Sequence, residues 1–170
     1  MRKRTIVVTL ALVALLGGIF PGLGLAAADT DAALEYLRTQ QNADGGFGSG
    51  FSPDSGVGST ADAVLAIVAV GGDPASFDQG GNTPLSYLAA NAASTATAGD
   101  LAKLILAVIE AGQDPREFGG VDSVANLEAM TSDEGRIGGE ADTFVAHTLA
   151  VLALKSAQSP IPAGAVELIT

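Results

Sequence analysis

Cysteine and tryptophan are both absent from the 170 residues, and there is a single histidine, His147. Without cysteine the fold has no disulfide to constrain it and no thiolate for nucleophilic or metal chemistry. One histidine with no cysteine excludes the usual zinc sets of three or four nitrogen and sulfur ligands. Basic residues are also scarce: eight Lys and Arg stand against nineteen Asp and Glu, for a formal net charge of −11. A chain this acidic is a poor partner for nucleic acid or an anionic membrane surface. Charged residues make up only 16% of the chain and hydrophobic ones 48%, which excludes a disordered polyelectrolyte and leaves enough apolar material for one packed core.

The scarce positive charge is unevenly placed. Arg2, Lys3 and Arg4 open the chain, and no residue from Thr5 to Ala28 is charged. A basic head, an apolar stretch broken late by Gly17, Gly18, Pro21 and Gly22, and the small triplet Ala26-Ala27-Ala28 make a signal-peptide layout. We therefore expect residues 1–28 to be a signal peptide and residues 29–170 to be the exported domain, secreted or displayed at the cell surface. An uncleaved anchor is the alternative, because the uncharged stretch is long enough for a bilayer core of about 30 Å. Cleavage removes the three basic residues and no acidic one, lowering the net charge from −11 to −14. Once the leader is gone, no later segment is expected to enter a membrane.

The remainder is repetitive. Leu34-Glu35-Tyr36-Leu37 is echoed by Leu85-Ser86-Tyr87-Leu88, then more loosely by Leu127-Glu128-Ala129-Met130 and Val166-Glu167-Leu168-Ile169, at steps of 51, 42 and 39 residues. The first three starts each lead into a more apolar, Ala- and Leu-rich segment: Ala61 to Val70, Leu101 to Ile109 and Phe144 to Leu154. Their composition and length predict helices, apolar on nearly every side and hence buried all round. The leading segments, near 31–41, 82–93 and 121–131, predict amphipathic outer helices. Gly71-Gly72-Asp73-Pro74 and Gly112-Gln113-Asp114-Pro115 read as helix stops, with glycine for a left-handed cap and proline against continuation. Ser59 or Thr60 is the expected cap of the first inner helix, with Asp62 in its first turn.

These residues resemble a known repeat. Residues 34–48, LEYLRTQQNADGGFG, are similar to the QW-type repeat of the terpenoid cyclase and protein prenyltransferase superfamily, with Gln41, Gly45, Gly46 and Phe47 at the Gln-x3-Gly-x-aromatic motif. Residues 59–74 are similar to the inner helix of the same repeat, and so are residues 102–120, which resemble the second-unit pattern of exported bacterial prenyltransferase or squalene-oxidase repeat proteins. Only the first unit shows the full motif by sequence. The resemblance implies an all-α fold, an α/α toroid of helical hairpins, here partial, with about three hairpins and the start of a fourth. It implies that the motif residues are structural. A homodimer, or further C-terminal repeats, would then complete the core.

The chemistry of that superfamily finds little footing. Its zinc site needs Asp, Cys and His, and the cyclase proton donors DxDD and DCTAE are missing. Catalytic residues, cofactor and metal are therefore not expected. Asp62, Asp100 and Asp142 lie near the starts of the three inner helices, where in a toroid they would gather at one barrel end, joined by His147 from the third helix, as a speculative ligand site. The plainer reading makes them separate helix-terminal acids. The Asp-, Gly- and Ser-rich loop from Asn42 to Gly58 lacks EF-hand spacing and reads as turns. Phe47, Phe51, Phe77 and Phe118 are expected to seal contacts between units. A non-catalytic module binding a small molecule or protein is the leading expectation. The alternatives are the N-terminal part of a cyclase- or prenyltransferase-like enzyme acting on isoprenoids, a cobalamin-carrier-like binder, and a purely structural stacking domain.

Overall fold

The computed structural model describes residues 29–139 and 142–169, so the expected signal peptide, residues 1–28, lies outside the described residues. The described chain is helical: α1 (Thr30–Gln40), α2 (Val57–Ala69), α3 (Pro84–Asn91), α4 (Ala98–Glu110), α5 (Ser123–Glu128) and α6 (Phe144–Ser156), with three single-turn 3₁₀ helices at Pro74–Ser76, Ala92–Ser94 and Phe118–Gly120. Extended pairing among the described residues is limited to isolated bridges within loops. No helix among them is long and apolar enough to cross a membrane.

Short polar side chains start most of these helices. Thr83 and Ser86 form a reciprocal capping box ahead of Pro84, and Thr97, Asp122 and Thr143 each accept a hydrogen bond from a first-turn amide of α4, α5 and α6. α2 departs from the expectation. It begins at Val57, two residues before Ser59, and its N-cap is Gly56, which has no side chain to signal a start.

The three long helices end alike. The amides of Gly72, Gln113 and Ser159 reach back five residues to the carbonyls of Ile67, Val108 and Leu154, each at 2.9 Å, and the preceding residue turns left-handed. That residue is Gly71 (φ 77°), Gly112 (φ 75°) or Gln158 (φ 55°). These are Schellman stops, and the first two are those that the Gly-x-Asp-Pro strings predict.

α2, α4 and α6 lie side by side and parallel, with their N-terminal turns level. The second residue of α2, Gly58, abuts the Asp100 carboxylate at the third position of α4. One step on, the second residue of α4, Gly99, sits so that a Cβ would lie 3.4 Å from that of Ala146, the third residue of α6. α3 packs on α2 and α5 on α4. Ala61, Val64, Leu88, Leu104 and Val108 share one core, and Leu101, Ile105, Val124, Leu127, Ala150 and Leu154 share the next. α1 covers the free side of α2 through Leu34 and Leu37, which pack with Phe47, Ile67 and Phe77.

Burial all round does not extend to every inner helix. α4 has neighbours on both sides and hides seven of its residues, whereas α6 leaves Phe144, Val145 and Leu152 more than half exposed. The end of the row has no further helix against it among the described residues. Of the four loop phenylalanines, Phe47, Phe77 and Phe118 are buried between elements as expected; Phe51 stands fully exposed at a loop tip and seals nothing.

Candidate functional site

The motif residues come together in the loop between α1 and α2. Gln41 to Phe47 forms a tight turn, closed by the Asn42 amide on the Gly46 carbonyl and the Gly45 amide on the Asn42 carbonyl, both 2.9 Å. Gly45 has φ 86°, and a Cβ there would lie 2.6 Å from the Thr83 carbonyl oxygen, so both conformation and space require glycine. The buried Gln41 amide donates to the Gly45 and Phe77 carbonyls at 3.0 Å each, tying the turn to the segment after α2. Arg38 reinforces that tie: it donates to the Ser76 carbonyl and hydroxyl and lies 4.1 Å over the Phe77 ring. The Phe47 amide donates to the buried Thr60 hydroxyl at 2.9 Å. Thr60 therefore does not cap α2; it pins the loop.

The same turn returns where sequence reading expects the motif to be lost. Thr131 to Ile137 repeats the bridge and both hydrogen bonds, with Ser132 on Arg136 at 2.8 Å and Gly135 on Ser132 at 2.9 Å, and Gly135 takes the same φ of 86°. Glycine keeps its place four residues in, Thr131 stands for Gln41 and Ile137 for Phe47. The signal was present as Thr-x3-Gly-x-Ile, and it was hidden by the demand for an aromatic. The second unit has no such turn; a 3₁₀ turn at Ala92–Ser94 leads directly to the α4 cap.

This correspondence places His147. It is the fourth residue of α6, as Thr60 is the fourth of α2, and its Nδ1 accepts from the Ile137 amide at 3.0 Å. With Nδ1 as acceptor, Nε2 carries the proton and donates to the Ala165 carbonyl at 2.9 Å. The ring is 2% exposed, so both nitrogens are spent on the fold.

The three aspartates are dispersed in role. Asp62 is the sixth residue of α2, past the first turn, and pairs with Lys103 at 2.6 Å across to α4. Asp100 lies in the first turn of α4 beside its cap Thr97. Asp142 precedes the α6 cap and accepts from the Gly139 amide at 2.8 Å. Among the described residues, no three His, Asp or Glu side chains come close enough together to hold a metal ion. In the loop, Asp44 accepts from the Gly46 amide and the Ser55 hydroxyl, and Asn42 donates to the Pro53 carbonyl and to Ser55, so the polar residues bind one another. Tyr87 donates to the Ser55 carbonyl at 2.8 Å, and burial, then the nearby Asp44 charge, raises its phenol above the ordinary tyrosine range.

One open cleft, of about 740 Å³, lies between α1, the loop and α2. Tyr36, Gln40, Asn42, Ser49, Ser59 and Asp62 line it. Tyr36 is 63% exposed at its edge and Asp62 is its acidic group. Asn42 and Ser49 are engaged within the loop and Asp62 with Lys103, so what the cleft offers a ligand is chiefly the exposed Tyr36 ring beside the half-exposed Asp62 carboxylate, which suits a partner with one apolar side. Sequence reading offered Asp62 as a ligand candidate, took Ser59 for a cap and Asn42 and Ser49 for turn residues, and missed the cleft because its walls come from three elements whose approach no local pattern announces.

Compared with family models, curated proteins and solved structures, the chain matches none. The QW-like motif therefore stands as a resemblance carried by residues 34–48.

Proposed function

We propose that this chain is an exported, non-catalytic helical repeat module of the partial α/α-toroid type, and that it binds a small molecule or a protein segment in the cleft between α1, the 41–53 loop and α2. One observation carries the reading. The lone histidine that sequence alone offers as chemistry, His147, is consumed in pinning a loop, as is Thr60, whereas the cleft presents the exposed ring of Tyr36 beside the half-exposed carboxylate of Asp62, one oxygen of which is paired with Lys103. Parallel inner helices and the recurring Gly45 and Gly135 turns support the toroid assignment, and the basic head with its apolar run supports export.

The occupant that this chemistry fits has an apolar face for Tyr36 and a hydrogen-bonding or cationic group for Asp62. Amide-resolved NMR titration of the chain with a library of small aromatic and aliphatic amines tests it. Shifts grouped at Gln40, Asn42, Ser49 and Ser59, reduced at least about five-fold in affinity by Tyr36→Ala, are expected; a stacked aromatic contact is worth about 1 kcal/mol. Binding centred elsewhere, or unchanged by Tyr36→Ala, would remove the cleft from the account. N-terminal sequencing of the exported protein should begin near Asp29, and an intact Met1 would contradict cleavage.

A further inference from the structure

The third-unit turn is held to its inner helix by a group that changes charge near neutrality, and the first-unit turn is not. Phe47 and Ile137 occupy matching places, and each gives its amide to the fourth residue of the following helix, the Thr60 hydroxyl at 2.9 Å or His147 Nδ1 at 3.0 Å. A hydroxyl accepts that bond whatever the pH. An imidazole accepts it only while neutral, because the added proton sits on Nδ1 and sets two N–H donors against each other. His147 is the only histidine in the chain, so no other imidazole responds with it.

Two further observations decide what a proton would move. The ring is 2% exposed, so an imidazolium there loses its hydration as well as its bond to the amide. Opening the turn relieves both costs. Nε2, by contrast, is a donor in either charge state, so its bond to the Ala165 carbonyl at 2.9 Å survives protonation. The Ser159 hydroxyl, which donates to Glu128 of α5, ties the chain beyond α6 a second time. The charged groups on the elements around the ring are directed elsewhere. In the turn Asp133 is exposed, Glu134 is bonded to Ser132, and Arg136 donates to the Asp142 carbonyl. On α4, Asp100 and Lys103 serve Thr97 and Asp62, while Glu110 and Lys155 stand at the far ends of α4 and α6, and Glu167 is exposed beyond. The carboxylates among them draw a proton toward the ring, yet the Ile137 amide occupies the place from which an acceptor would have to meet it.

We propose that His147 is an acid-sensitive latch: a proton on Nδ1 detaches the 131–137 turn from α6, while the chain after α6 stays tied at Ala165 and the first-unit turn stays shut. The sign follows from linkage. The neutral ring holds the turn fully above about pH 6.5, where an exposed histidine titrates, and the hold fades as pH falls below that. Once released, the turn uncovers Ile137, which is otherwise 0% exposed, so a buried apolar group becomes accessible in mildly acid surroundings. The latch does not depend on the α1–α2 cleft, and either can fail without the other.

Amide hydrogen exchange of the isotope-labelled full chain at about pH 7.5 and about pH 5.5 tests the latch, with Phe47 as the internal control. An open-state ring titrating near about 6.5 makes opening about ten-fold more favourable at the lower pH. Protection at Ile137 should therefore fall about ten-fold, while that at Phe47 changes by less than about two-fold. The nitrogen spectrum of the ring at the higher pH should place the proton on Nε2. His147→Thr copies the first-unit residue and should flatten the response at Ile137. If that variant does not fold, the comparison of Ile137 with Phe47 in the unaltered chain decides alone. An Ile137 amide that keeps its protection, a parallel fall at Phe47, a proton on Nδ1 at the higher pH, or the same acid response in His147→Thr would each overturn the proposal.

Discussion

Replacing Gln158 by glycine should stabilise the protein, and the reason lies in the three matched helix ends. Gly71, Gly112 and Gln158 occupy the same left-handed position of the same Schellman turn, and Gln158 is the only non-glycine residue with positive φ among the described residues. A side chain in that conformation costs roughly 1–2 kcal/mol. Glycine returns part of this through its larger unfolded-state entropy, roughly 0.5–1 kcal/mol, which leaves a net gain of about 0.5–1 kcal/mol. Gln158 is exposed and makes no hydrogen bond through its side chain in the structure, so little is lost with it. For a domain of this size the gain corresponds to a rise of about 2–5 °C in Tm, measurable by calorimetry alongside urea unfolding with an unchanged slope. The reciprocal change isolates the cause. A Cβ at Gly71 or Gly112 would meet no atom within 4 Å, so Gly71→Ala and Gly112→Ala carry only the conformational cost, about 1 kcal/mol each. If Gln158→Gly lowers Tm, or if both alanine variants are neutral, the left-handed cap does not govern these helix ends.

Gly135→Ala should be far more damaging than either, because its Cβ would run into the Ala163 carbonyl as well as straining φ. Loss of about 3 kcal/mol or more, read by denaturant unfolding, is expected, and a loss under 1 kcal/mol would refute the packing argument. Thr60→Val leaves the buried Phe47 amide without its acceptor and should cost about 1–3 kcal/mol, with faster hydrogen exchange at that amide as the specific signature. In a Tyr36→Phe background the remaining tyrosine is Tyr87, and its absorbance titration should have a midpoint above 10.0. Because the folded value is raised, the neutral phenol stabilises the fold fully below pH 10, and that contribution disappears as pH climbs through the folded value. A midpoint at or below 10.0 would show that neither burial nor the Asp44 charge disfavours the phenolate.

How much of this was legible in the sequence depended on whether the signal was local. Helix stops at Gly71 and Gly112 were legible because a left-handed cap followed by Asp-Pro is written in four consecutive residues. The inner helices were legible from composition, although α2 starts earlier than expected because its cap, Gly56, carries no side-chain oxygen to announce it. Thr60 looked like a cap because hydroxyls near helix starts usually are; its actual acceptor role is for an amide thirteen residues earlier, a distance no local pattern encodes. The third-unit turn was missed because the aromatic was treated as essential, whereas glycine at φ 86° is what the backbone demands and a buried isoleucine fills the same space. The cleft was illegible for a further reason: its walls come from α1, the loop and α2, whose side chains meet only after the helices pack.

The pairing of Thr60 with His147 bears on function as well as on folding. A buried polar group in an apolar helix is stabilising only when its partners are supplied, and the partner here is the one amide that a tight loop turns inward. Both helices meet that demand at their fourth residue, one with a hydroxyl and the other with an imidazole. The imidazole's second nitrogen then extends the pin to Ala165, fastening the segment that follows α6. α4, whose unit has no such turn, places Leu101 at the fourth position and needs no polar group there. At this fourth position a polar residue thus enters an inner helix where a loop must be held and is replaced by an apolar one where it need not be. On that rule the inner helices build the scaffold, and the recognition proposed for this chain is left to surfaces outside the row, such as the cleft beside α1.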